Sequence, residues 1–415
     1  MLRSARSMIH IVVVAWPELL AWYLAGQVVR AAVIAIAAPI GPVSPLAALL
    51  IVPIAALASL VSYVGMFLAV RRGMAAYRNI AEGDVEFTSP RDAVAEFSRV
   101  LLASIIPFFT LYALIGLLAY DLSEYARSAF RFSLGSERGV LDVGDGPVVA
   151  TVVIVALAGR LALKVFGSRL PRWLAVVEIY LEATWIFVAL TGLYGAFGDI
   201  LEWVESRAVF VWVDDARNYL SSLADPIRWI FESVDWALPV AVQLVLLPLA
   251  WLLVAGIVYT RALANVVEGP SVPRAMERAA NLAQRGYLVL PAAIKRQAYL
   301  LTDEWDDVGS PLTQSAKLVS RAGLTALVSF MGVYALLFAA GQWLSFALYR
   351  AIGPQESSLW FELDPLVSIV DNLVTEPLRI ALLAVMFDGC LRRWQERRSG
   401  AASESARAEA GVSRA

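Results

Sequence analysis

The sequence predicts an all-α polytopic integral membrane protein, and three observations carry that reading. Of 415 residues, 59% are hydrophobic and 17% charged, against about 45–50% and about 25% in soluble proteins. The apolar residues gather in runs of about 20, the length at which a helix crosses the bilayer core with its backbone hydrogen bonds satisfied internally. Lysine and arginine segregate between alternate connecting segments.

About eight such runs can be read: 17–40, 45–70, 99–120, 147–167, 173–197, 236–260, 322–347 and 373–393. The first follows Arg3 and Arg6. It is too long for a signal-peptide core and is interrupted by Glu18 and Arg30, so it reads as an uncleaved span. In the eighth, Glu376 and Arg379 lie near the outer end and Pro377 could start the helix. An even number of spans puts both termini on one side. Segments on that side hold 24 Lys/Arg, those on the other hold 7, and Arg30, Arg160 and Arg379 fall within spans. The bias places both termini in the cytoplasm of a multi-pass cell-membrane protein. The Ala-, Ser- and Glu-rich tail, 399–415, reads as disordered.

Two motifs recur. Asn79-Ile80-Ala81-Glu82-Gly83 matches Asn265-Val266-Val267-Glu268-Gly269 at an offset of 186, which also aligns Pro53 with Pro239 and Leu60 with Leu246. Ser98-Arg99 and Tyr112-Ala113-Leu114 match Ser320-Arg321 and Tyr334-Ala335-Leu336 at an offset of 222, which aligns Phe108 with Phe330. Chance resemblance between apolar helices explains the Ala and Leu matches, but poorly explains the polar ones. The pattern therefore predicts two parallel four-helix repeats, 1–170 and 171–398. The difference between the offsets places an insertion at about 270–309 in the second copy. Repeats that enter from the same side are related by an axis along the membrane normal.

Two segments outside the spans stand out. In 203–235, Ile227, Ile230, Phe231 and Val234 follow helical spacing among several Trp and Tyr, which suits a helix in the outer interface. The inner loop 262–320 carries Asp303-Glu304-Trp305-Asp306-Asp307, which reads as a solvated charge run rather than a metal site. Either segment could dock other membrane-protein subunits, with the lipid bilayer as the general partner.

Several chemistries are excluded on residue counts. One cysteine (Cys390) and one histidine (His10) leave no disulfide framework and disfavour zinc, haem or iron–sulfur centres, so no cofactor or metal is expected. The chain has no G-x-x-x-x-G-K-[ST], H-E-x-x-H or G-x-S-x-G motif, and no catalytic set is apparent. A net charge of −2 gives no reason to expect a nucleic-acid partner.

Charges inside spans are the remaining candidates, because each costs a few kcal/mol unless paired or hydrated. Arg30, Glu178 and Glu182 lie deepest, and an Arg30–Glu182 pair is expected, with Glu178 as the alternative partner one turn away. Arg160 lies about a turn from Lys164 and could simply extend inward to the interface. The expected activity is transporter- or exporter-like, with a path between two pseudo-symmetric halves. The alternative is a non-catalytic accessory or scaffold subunit of a membrane assembly.

Overall fold

The computed structural model of the chain describes residues 2–81, 90–114, 116–133, 146–166, 174–205, 225–262 and 323–412, with isolated positions between 212 and 222. Helix is the dominant structure and no strand occurs among the described residues. Helix α1 (Leu2–Ile40) gives way to a tight turn, where Gly41 and Ser44 bond back to Ala37 and Ile40. Ser44 then opens α2 (Pro45–Val70): its Oγ accepts from the Ala47 N–H at 3.3 Å, and Pro45 fills the first helical position, where no N–H is needed.

A 3-10 turn (Arg71–Gly73) leads into the short α3 (Ala75–Ala81), and α4 runs Pro90–Leu114. The run 99–120, expected as one span, is two helices. Gly116, at φ +80°, separates α4 from α5 (Leu117–Ser133). Only glycine takes that conformation without a steric penalty, and no atom lies within 4 Å of where a Cβ would stand. Helix α5 buries Leu118, Asp121, Tyr125 and Ala129 along one face and exposes Phe130 and Phe132.

Helices α6 (Gly146–Phe166) and α7 (Leu174–Glu205) pack as a pair. Helix α8 (Asp225–Ala241) contains Pro239, and a π turn (Val242–Leu246) joins it to α9 (Leu247–Ala262). The expected outer helix and sixth span thus form one continuous helical stretch, with Trp229 and Trp236 exposed on it. Helix α10 (Leu324–Ile352) and helix α11 (Ser357–Val412) complete the set. Pro377 does not start a helix. It lies inside α11, as does Pro365, so the helix crosses 373–393 without a new beginning there and continues through 399–412. The expected insertion at 270–309 and the charge run Asp303–Asp307 lie outside the described residues.

Among the described residues, four helical stretches are long and apolar enough to cross a membrane: Met8–Ile40, Pro45–Gly73, Phe231–Tyr259 and Leu324–Ile352. The apolar part of α6, Ala150–Leu163, is shorter.

The described chain divides into two compact units that interleave segments rather than following the halves 1–170 and 171–398. The first comprises 1–23, 64–107 and 251–415. Its core takes Ile11, Ala15, Leu19 and Tyr23, one α1 stripe at four-residue spacing, and an aromatic cluster around Tyr259. Phe67, Tyr77 and Phe387 lie 5.8, 6.1 and 5.0 Å from that ring. Cys390 is buried at 3% exposure. Asp388 accepts from the backbone N–H groups of Ala76 and Tyr77 at the start of α3, at 2.8 and 3.2 Å.

The second unit comprises 24–63 and 108–250. Val33, Ile34 and Ala55 form one buried cluster, and Phe108, Phe109 and Tyr112 form an aromatic one with ring separations of 5.3–6.0 Å. The Tyr180 hydroxyl donates to the Leu50 carbonyl at 2.8 Å.

Candidate functional site

Each unit holds a buried arginine–carboxylate arrangement, and their surroundings separate structural pairs from a candidate site. In the second unit, Arg30 pairs with Asp121 rather than with the expected partner, Glu182. Its Nε donates to Asp121 Oδ1 at 2.7 Å and its terminal nitrogen stands 2.5 Å from the same oxygen. The Tyr112 hydroxyl donates to Oδ2. Asp121 is 1% exposed, and Arg30 also lies over the Tyr120 ring at 5.2 Å. The Gly116 break explains the difference, because it gives Asp121 to a helix whose buried stripe faces Arg30. With both carboxylate oxygens engaged by donors, the arrangement reads as a closed structural network.

Glu182 pairs with Arg160 instead, which joins α7 to α6. Arg160 therefore does not simply reach toward the interface beside Lys164. Leu181 comes within 3.2 Å of a Cβ placed at Gly159, so the two helices are also close at this level. Glu178, one turn before Glu182, is half-buried. Arg30, Glu178 and Glu182 are thus not brought together into one site.

The first unit offers something different. Helices α10 and α11 border a cleft of about 140 Å³, lined by Tyr334, Phe338, Gly341 and Gln342 from α10 and by Asp371, Asn372, Thr375, Glu376 and Arg379 from α11, with Leu337. The α10 residues centre on position 338, the midpoint of Leu324–Ile352. The α11 residues, spaced i, i+1, i+4, i+5 and i+8, occupy one helical face.

Gly341 makes the close approach. A Cβ there would stand 3.0 Å from Thr375 Cγ2 and 3.6 Å from Asp371 Oδ1. At the deep end Glu376, 7% exposed, pairs with Arg379 one turn on. The Arg379 guanidinium lies 4.2 Å from the centre of the fully buried Trp251 ring, with the Tyr334 hydroxyl nearby. A guanidinium so held is charge-balanced and stacked.

The other polar groups have acceptor capacity left over. Asn372 directs its Nδ2 to the Ser368 carbonyl and hydroxyl at 2.8 and 3.3 Å, leaving its Oδ1 free of that role. Thr375 donates its hydroxyl hydrogen to the Asp371 carbonyl at 3.2 Å, which leaves oxygen lone pairs. Gln342 is exposed.

Sequence reasoning missed this group because Glu376 and Arg379 look like charges at a span's end. The signal available was the shared helical face of Asp371, Asn372, Thr375, Glu376 and Arg379. For Asp121 the signal was a carboxylate inside the otherwise apolar stripe Leu118, Tyr125 and Ala129.

No group of three or more His, Cys, Asp or Glu among the described residues could hold a metal ion. Among the described residues, fold and site together define a helical protein with four helices long and apolar enough to cross a bilayer and a polar cleft halfway along one of them. Comparison with known proteins finds no matching family, no similar curated protein and no similar solved structure.

Proposed function

We propose that this is a multi-pass membrane protein of the transport class, with the α10–α11 cleft as the place where solute is bound. One observation carries the proposal: polar side chains converge on an open cavity midway along a helix otherwise apolar enough to span a bilayer. Polar groups at that depth are costly unless hydrated or occupied, and they commonly mark solute and ion paths. The site lies within the second half of the chain, in place of the path between halves expected from the repeats.

The wider arrangement belongs to the same reading: about eight spans in two parallel repeats, both termini cytoplasmic, in the cell membrane. Its support is the Lys/Arg asymmetry and the matched aromatic pairs. Phe108 and Tyr112 are both buried with rings 5.3 Å apart, and their counterparts Phe330 and Tyr334 are both buried at 6.1 Å. Both tyrosines also stand against an arginine–carboxylate pair. Pro53 and Pro239, aligned by the other motif, each lie inside a helix. Leu60 and Leu246 weigh against the match, since the first is buried and the second 59% exposed.

The test is water access. In liposomes, Gln342→Cys should react with a charged methanethiosulfonate reagent, whereas Leu336→Cys, on the apolar outer surface of α10, should not. Equal protection of both positions would refute a hydrated cleft. The accessory-subunit reading draws on that same outer surface, where Leu324, Leu336 and Trp343 are 78%, 72% and 71% exposed. Stable co-purification of a second membrane protein in mild detergent, lost on Leu336→Asn, would favour it.

A further inference from the structure

We infer that the α10–α11 cleft takes a small monovalent organic cation with N–H donors, an alkylammonium in the simplest case, with Asp371 as its counter-charge. This rests on the reading of the cleft as a solute site. Three features of the lining converge on that ligand class.

The first is charge. Among the lining residues Arg379 and Glu376 neutralise each other, and Asp371 remains as a carboxylate with no ion-pair partner among the described residues. Arg379 lies eight residues further along α11, about 12 Å along the helix axis, and is committed to Glu376 and Trp251. Asp371 Oδ1, beside Gly341, is buried and has no hydrogen-bond partner. A carboxylate in a low-dielectric setting is stabilised by a cation brought to it.

The second is hydrogen-bond polarity. With the donors of Asn372 and Thr375 already directed to the α11 backbone and Ser368, what these side chains offer the cleft is acceptor oxygen. Gln342 adds an amide oxygen. An acceptor-rich lining complements a donor ligand, and a carboxylate accepting from N–H⁺ makes the stronger, charge-assisted kind of bond.

The third is shape. Tyr334 and Phe338 stand one turn apart on the α10 side, supplying aromatic faces to a cation held opposite. The volume, about 140 Å³, is close to that of cavities of about 150 Å³ that accept benzene. An inorganic anion would meet here only Arg379, whose charge Glu376 already balances.

The experiment uses the full-length protein in nanodiscs and radiolabelled methylammonium as the probe. Saturable binding is expected, about tenfold weaker in Asp371→Asn and largely retained in Asp371→Glu, as loss of a charge-assisted bond requires. Gln342→Leu, at an exposed position, should weaken binding several-fold with thermal stability unchanged, and it decides the matter if Asp371→Asn does not fold. Absence of saturable binding, undiminished binding in every variant that folds, or equal competition by sodium would overturn the inference. Reaction of Gln342→Cys with the charged thiol reagent but no methylammonium binding would leave the transport reading standing and remove this one alone.

Discussion

Asp388 caps the helix that begins next to Ala76, although 312 residues separate the two in sequence. Its Oδ1 takes the N–H groups of Ala76 and Tyr77, the second and third positions of α3, which have no acceptor within their own helix. Arg392 holds the other oxygen at 3.2 Å. Replacing Asp388 by Ala should cost about 1 kcal/mol, the usual worth of a cap, and more if the buried N–H groups stay dry. Asp388→Asn should recover part of it. Thermal unfolding of the detergent-solubilised protein is the measurement, and wild-type stability in Asp388→Ala would show that water replaces the cap.

Arg30 and Asp121 should behave as an obligate pair. Removing the arginine alone leaves a carboxylate at 1% exposure without its cation, a loss of about 3–5 kcal/mol in comparable buried pairs. The double replacement Arg30→Leu, Asp121→Leu should recover most of that. A double-mutant cycle of Arg30 with Asp121 should therefore give strong coupling, and one of Arg30 with Glu182 almost none. The reverse ranking would contradict the pairing.

Gly116 should resist substitution. At φ +80°, an alanine meets the Cβ penalty of the left-handed region, about 1–2 kcal/mol, although the space around it is open. Gly116→Asn should cost less than Gly116→Ala, because asparagine tolerates that region better. If both variants match wild type in thermal unfolding, α4 and α5 can meet without the left-handed turn.

The proposed cytoplasmic placement of both termini predicts that the loop 262–320 lies on that same side. An impermeant maleimide added to intact cells should leave Arg285→Cys unlabelled, and should label it after permeabilisation. The native thiol, Cys390, is too buried to compete. Labelling in intact cells would invert the topology.

Helices were legible because hydropathy and length report directly on what a bilayer or core demands, and Arg30 stood out because a charge amid Val and Ala needs an explanation. Partners were less legible. A lone glycine in an apolar run is ordinary, so Gly116 gave no sign that the run 99–120 breaks there, and Asp121 fell just outside the expected span. Sequence shows proximity along one helix, which sets Arg160 beside Lys164, whereas its actual partner, Glu182, lies on α7. The cleft depended on Gly341 letting α11 come close, which is a property of two helices together and is written in neither alone.

The π turn at Val242–Leu246 has a consequence for the phase of everything after it. Such a turn accommodates one residue more than an α-helix would, and each residue advances the helical angle by about 100°. The side chains of α9 are therefore rotated by about that angle from where an uninterrupted helix begun at Asp225 would present them. Deleting a single residue between 242 and 246 would restore a regular helix and with it the ordinary 100° step from the side chains of α8 to those of α9.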